Sequence, residues 1–242
     1  MDTAQPITLS SLSTFEFPRI HTFPPLYTKQ PNQTIQQQQL ESWTNIILSY
    51  CEFYKITSLT SEGQPRHSQL FSKAQFNLFP LLFENKSINR HVNADFKTTI
   101  LTHLIHTKKA EYINLKRPEL GIFIYWRSVV DWGNILYDYI SNTGQKGTVM
   151  TLYELTKGGA GGGEIGASTE EDGLGEDNDN YNYTDYNNNN NNDDDDENLL
   201  PSELKNMDEL LLIKVIQEYL VKQGKAQVLL NEYNQIGGVK IV

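Results

Sequence analysis

Three of the five histidines and the single cysteine have the types and spacing to raise metal or nucleophilic chemistry. His103 and His106 stand three residues apart on a predicted helix with His91 upstream, a spacing at which imidazoles can share a zinc ion. No cysteine cluster and no Glu-x-x-His arrangement completes such a site, so the histidines read as surface or half-buried residues. Cys51 falls on an apolar helical stripe beside Tyr50 and reads as core packing rather than a nucleophile. The glycine run at 158–163, GGAGGG, is not followed by Lys-Ser/Thr and does not join a strand to a helix, so it is not a phosphate loop. No catalytic residue, metal site or cofactor is expected, and the chemistry to look for is recognition.

Recognition is concentrated in FPPLY at 23–27. Pro24 and Pro25 restrict φ and favour polyproline II, which would present Phe23, Leu26 and Tyr27 on a stiff strand that loses little entropy on docking. The segment Pro24, Pro25, Leu26, Tyr27 also satisfies the Pro-Pro-x-Tyr pattern of a WW-domain ligand. The same residues equally describe a rigid strap packed on its own domain. Both readings stay open at this level.

Composition narrows the partners. The net charge is −10, but residues 158–198 hold 13 of the 30 acidic groups and no lysine or arginine, leaving 17 acidic against 20 basic residues elsewhere. The remainder is near neutral, so charge alone does not exclude DNA. A single cysteine suits the cytosol or nucleus. The N-terminus lacks the features of a signal peptide, no apolar run approaches the roughly 20 residues that span a bilayer, and no lipidation motif is seen. The N-x-S/T sequons at Asn32, Asn85 and Asn182 are therefore expected to be accidental.

The elements that must position FPPLY follow from periodicity. Residues 1–32, with five prolines, read as an extended arm. Leu40, Trp43, Ile47, Tyr50 and Tyr54 recur at helical spacing from about 34 to 54, and ITSLT at 56–60 reads as a strand. A short helical segment precedes a longer helix that starts after Asn93, buries Phe96, Ile100, Leu104 and Ile105, and runs through Lys108 and Lys109. AEYI at 110–113 and GIFIYW at 121–126 form a hairpin with a wing at 114–120. The order then recurs: a stripe of Trp132, Ile135, Leu136, Tyr139 and Ile140, a strand and short helix in VMTLYEL at 149–155, a helix over 203–223, and a final hairpin turning at Gly237 and Gly238. The expected fold class is α+β: two tandem winged-helix domains, 33–127 and 128–242, preceded by an extended proline-containing N-terminal arm. The insert at 158–198 is too polar and too charged to order itself, and reads as an acidic interaction tail or a tolerated expansion.

A winged helix raises DNA binding, for which the first domain offers Lys97, Lys108, Lys109, Lys116 and Arg117. That footprint is thin. In the second domain, Asp208, Glu209 and Glu218 offset the lysines of the last helix, which suits protein contact better than phosphate.

FEFPRIHTFPPLYTKQPN at 15–32, the helix around Trp43, PLLFEN at 80–85, IYWRS at 124–128, DWGNILYDYI at 131–140 and TLYELTKG at 151–158 resemble the vacuolar protein-sorting-associated protein 25 family. These are the arm subunits of ESCRT-II, the endosomal sorting complex required for transport II. The resemblance implies tandem winged helices and a non-enzymatic subunit present in two copies, each binding one of the two other ESCRT-II core subunits through the proline motif and the first winged helix. Carried over by position, Phe23, Pro24, Pro25, Leu26 and Tyr27 would be the anchors in a partner groove, with Phe17 and Pro18 a second contact. FPRI at 17–20 departs from the upstream proline-proline-x-tyrosine motif that some members carry. The second winged helix would recruit and activate the first subunit of ESCRT-III during sorting of ubiquitinated cargo into multivesicular bodies. That surface is sought at Met150, Thr151 and Leu152 and on adjoining helices, although the same residues could be buried in their strand. The resemblance further implies a cytoplasmic protein recruited to the endosome membrane through partners, with no nucleic-acid partner; an isolated copy is open to homodimerisation through apolar faces its partners would cover.

Overall fold

The computed structural model describes residues 14–66, 80–157, 200–205 and 207–242. The insert at 158–198 and most of the expected short helix before the longer one lie outside the described residues. Two hydrophobic cores organise the rest.

Helix α1, Gln33–Phe53, starts where Asn32 Oδ1 accepts from the backbone N–H groups of Thr34 and Ile35. It buries Leu40, Trp43, Ile47 and Tyr50 as the periodicity predicts, together with Gln39, Thr44, Ile46 and Cys51. Strands β1 (Ser58–Leu59), β4 (Ala110–Tyr112) and β5 (Ile122–Ile124) form an antiparallel sheet in the order β1-β5-β4. Helix α2, Ala94–His106, is capped by Asn93 and packs Phe96, Ile100, Leu101 and Leu104 inward. It stops short of the predicted Lys109 because Lys108 adopts a left-handed φ of 60°, and the Leu104 and Ile105 carbonyls accept from the two following lysine N–H groups. Residues 80–92 form an unpredicted miniature hairpin, with β2 (Glu84–Asn85) against β3 (Arg90–His91) and Asn89 at φ 52° in its turn. Gly121 closes the wing at φ 99°, where a Cβ would collide with the Leu59 carbonyl.

The second core repeats the scheme. Helix α3, Val129–Asn142, opens on a capping box in which Ser128 and Asp131 exchange hydrogen bonds. The hydrogen bonds from Ser128 hold the Asp131 carboxyl below its ordinary range. Strand β6 (Val149–Met150), helix α4 (Leu152–Lys157), helix α5 (Glu209–Val215) continuing as a π-helical segment (Ile216–Val221), β7 (Ala226–Leu230) and β8 (Ile236–Ile241) complete it. The sheet order is β6-β8-β7. The predicted helix over 203–223 begins only at Glu209, because Asp208 supplies the cap there. The final hairpin turns at 231–235 rather than at Gly237 and Gly238. Asn231 Oδ1 accepts from the N–H groups of Tyr233 and Gln235, and Asn234 takes φ 61°, so asparagines build the turn and the glycines lie inside β8.

The cores meet across the expected junction at 127/128. Phe123 belongs to β5 of the first sheet yet packs into the second core, and Trp126 touches both while its indole N–H donates to the Ile56 carbonyl at 2.8 Å.

Candidate partner-binding surfaces

The prolines of FPPLY are not in polyproline II. Arg19–Thr22 and Pro24–Tyr27 are consecutive 3-10 turns, closed by bonds from the N–H groups of His21, Phe23, Leu26 and Thr28 to the carbonyls three residues earlier. Pro24 and Pro25 open the second turn, where a missing N–H costs nothing. Of the two readings of FPPLY, the folded residues 14–31 are a strap on their own domain.

Leu26 and Tyr27 are each 3% exposed and join the first core, which corrects their expected place in a partner groove. The Tyr27 ring meets Trp43 edge-on at 5.6 Å, and its hydroxyl donates to the His21 carbonyl at 2.8 Å. Burial pushes the Tyr27 phenol up to about 12. A WW domain grips the tyrosine of its ligand, and in this fold that tyrosine is inaccessible.

The strap is fastened by α1. Gln39 Nε2 donates to the carbonyls of Pro25, Leu26 and Thr28 at 2.9, 3.0 and 2.9 Å, and Trp43 Nε1 donates to Leu26 at 3.0 Å. Gln39 was not singled out by sequence reasoning. It sits in the run of glutamines at 36–39, and nothing but its place just before Leu40 distinguishes it. His21 is also buried, stacked on Phe17 at 3.9 Å between ring centroids, while Asn85 Nδ2 donates to its carbonyl at 2.8 Å. Burial lowers the imidazole pKa, opposed in part by the Leu82 backbone. Phe17 packs on the core with Phe15, whereas Pro18 is exposed.

What remains outside is a short ridge: Phe23, 53% exposed, with Ile20, Pro24 and Pro25. A preformed apolar ridge whose Ile20, Phe23 and Pro25 carbonyls are already engaged can dock with little ordering cost.

The DNA-binding candidates do not gather into a basic surface. Lys97 on α2 pairs with Glu62 at 2.8 Å and lies over the Phe83 ring, while Lys108 and Lys109 stand at the far end of the helix, and Lys116 and Arg117 in the wing. The exposed face of α2 instead carries Asp95, Thr98, Thr102 and His106. His91 lies on β3 and His103 and His106 on α2; among the described residues no group of three His, Cys, Asp or Glu side chains is placed to hold a metal.

In the second lobe, Met150 is buried opposite Val239, and Leu152 is half-buried against the core. Thr151 is exposed but caps α4: Glu154 Oε2 accepts from the Thr151 N–H at 2.6 Å, and the Glu154 N–H donates back to Thr151 Oγ1 at 3.2 Å. The Thr-Leu-Tyr-Glu pattern of a capping box was the available signal for this. The apolar groups that do face outward nearby are Val149, 52% exposed, Tyr153 and Leu229. Val149 and Leu229 close over Gly238, since a Cβ there would lie 2.7 Å from Val149 Cγ1 and 4.0 Å from Leu229 Cδ1.

The described residues thus form two α+β lobes, the first carrying an ordered apolar ridge and the second exposed apolar side chains, which are surface features of a protein-interaction subunit. The chain belongs to the ESCRT-II complex subunit family, whose model matches residues 20–164. It is similar to vacuolar protein-sorting-associated protein 25 of Homo sapiens, with 33% identity over 145 residues covering 60% of this chain and 73% of the relative. The Drosophila melanogaster protein of that name is 31% identical over 147 residues, 61% of this chain and 75% of the relative. The fold matches a crystal structure of subunit VPS25 of the endosomal trafficking complex ESCRT-II, with a TM-score of 0.66, 23% identity, and coverage of 93% of this chain and 98% of the other. A chain in a structure of the ESCRT-II complex VPS22/VPS25/VPS36 matches with a TM-score of 0.63 and 24% identity over the same shares.

Proposed function

We propose that this chain is a non-enzymatic arm of an ESCRT-II complex, built from winged-helix domains at 33–127 and 128–242, that joins one of the two other core subunits to ESCRT-III. The first lobe docks on a core subunit through the ridge of Phe23, Pro24 and Pro25, with Pro18 beside it; Leu26 and Tyr27 act by holding the ridge in place. The observation that carries this reading is the exposure of Phe23 on a strap pinned by Gln39 and Trp43. Two copies per complex, each on a different core subunit, follow from the family resemblance.

The second lobe recruits the first ESCRT-III subunit through Val149, Tyr153 and Leu229 rather than through Met150 and Leu152, and so serves sorting of ubiquitinated cargo into multivesicular bodies. Contact with the endosome membrane is made through partners, as the family resemblance implies.

Co-purification with the two other core subunits tests the first half. The intact chain should assemble, and a folded Phe23→Ala, Pro24→Ala, Pro25→Ala variant should not. Assembly of that variant at wild-type yield removes the ridge from the reading; failure of the intact chain with competent partners removes the subunit assignment.

A further inference from the structure

Asp208 is engaged on every side. Its Oδ1 accepts from the Leu210 N–H at 3.0 Å and caps α5. Its Oδ2 accepts from Ser58 Oγ at 2.7 Å and lies 3.6 Å from Arg66 Nη1. Its own N–H donates to Thr57 Oγ1 at 3.0 Å. Thr57 and Ser58 are buried residues of the first lobe, 151 and 150 positions away in sequence. Their backbones are committed to that lobe: the Thr57 carbonyl accepts from Ile124 and the Ser58 carbonyl from Arg66. Their two hydroxyls face Asp208.

The charge pair is mostly shielded, with 13% of the Asp208 side chain and 25% of the Arg66 side chain exposed. Arg66 Nη1 is buried with no hydrogen-bond acceptor among the described residues, and the Asp208 carboxylate is the charge beside it. A second directional contact lies six residues on, where Lys214 Nζ donates to Glu111 of β4 at 2.9 Å and to Glu218 at 2.9 Å. Apolar contacts such as those of Phe123 and Trp126 hold the lobes together without choosing an angle, whereas short polar bonds at two points along one helix do choose it.

We propose that Asp208 is a positioning residue that sets the orientation of the second lobe on the first, a role separate from its capping of α5. The inference does not depend on which partners either lobe binds. The two roles come apart by substitution. Asp208→Ser keeps a capping oxygen but is too short to reach Ser58 and Arg66. Ser58→Ala with Arg66→Ala removes the same carboxylate contacts and leaves the cap untouched; both variants retain the Asp208 N–H bond to Thr57 Oγ1.

The test is the interlobe distance in the full chain, measured by double electron–electron resonance between spin labels at Thr102→Cys on α2 and Asp138→Cys on α3, in a Cys51→Ala background. The parent should show one narrow distribution. Asp208→Ser, and independently Ser58→Ala with Arg66→Ala, should lose it for a broadened or displaced one while circular dichroism retains the helix signal. Distributions superimposable on the parent in the folded variants overturn the proposal, and the Ser58/Arg66 pair alone decides if Asp208→Ser does not fold.

Discussion

The Trp43 indole N–H donates to the Leu26 carbonyl at 3.0 Å, across 17 residues of chain, and the same carbonyl accepts from Gln39. A proline motif that would be extended in isolation is thereby folded against α1. Its five residues divide by solvent exposure: Phe23, Pro24 and Pro25 outward, Leu26 and Tyr27 inward.

That division predicts two kinds of variant within one motif. Leu26→Ala should cost about 2–5 kcal/mol of unfolding free energy, as other buried leucine truncations do. Phe23→Ala should stay within about 0.5 kcal/mol of wild type while abolishing co-purification with the core subunits. Urea unfolding and pull-down yield, measured on the same preparations, separate the two.

Gln39→Leu should preserve the volume beside Leu40 but remove the Gln39 bonds to three carbonyls, leaving Leu26 with Trp43, Pro25 with the Thr28 N–H and Thr28 with Gln30 Nε2. The expected loss is about 1–3 kcal/mol. Hydrogen exchange should quicken at the Leu26 and Thr28 amides and leave those of α2 unchanged. Equal exchange at Leu26 and Thr28 in both proteins would remove Gln39 as the fastener.

Acid should loosen the strap through His21. Burial puts its folded pKa below the ordinary 6.5, so the folded state binds fewer protons than the unfolded chain. The contribution of neutral His21 is therefore complete above pH 6.5 and is lost as pH falls from there toward the folded value. Stability measured between pH 7.5 and about 5 should fall less steeply in His21→Gln than in wild type, once the common slope of the carboxylates is subtracted.

Gly133 is placed where a Cβ would run into the Tyr219 ring, whose hydroxyl donates to Asn134 Oδ1 at 2.6 Å. Gly133→Ala should displace that ring and cost about 1–3 kcal/mol by overpacking, despite the better helix propensity of alanine. Adding Tyr219→Leu should recover part of the loss in thermal denaturation.

Val149 and Thr151 are two residues apart and should behave differently. Val149→Asp is expected to weaken capture of the first ESCRT-III subunit at unchanged stability. Thr151→Ala should lower stability by about 0.5–2 kcal/mol through loss of the α4 cap. Binding by Thr151→Ala, measured where the protein remains folded, should match wild type.

The residues alone determine the helices, because a stripe of Leu40, Trp43, Ile47 and Tyr50, or of Phe96, Ile100 and Leu104, has one low-energy way to hide from water. They also place a helix, a strand, a later helix and a closing hairpin in that order in each half. The tertiary structure decides matters in which local preference and long-range contact compete. Pro24 and Pro25 are compatible with polyproline II and with the start of a 3-10 turn, and the choice falls to Gln39 and Trp43, which lie 14 and 17 residues on from their respective acceptors Pro25 and Leu26. Glycine at 237 and 238 permits a turn, but Asn231 makes one with its own side chain nearby. Met150 alternates inward because β6 pairs with β8 in a register that sets it opposite Val239, and a shift of one residue would have exposed it in place of Val149. The bond from Ser58 to Asp208 spans 150 residues and carries no local pattern, so only the packed chain could place it.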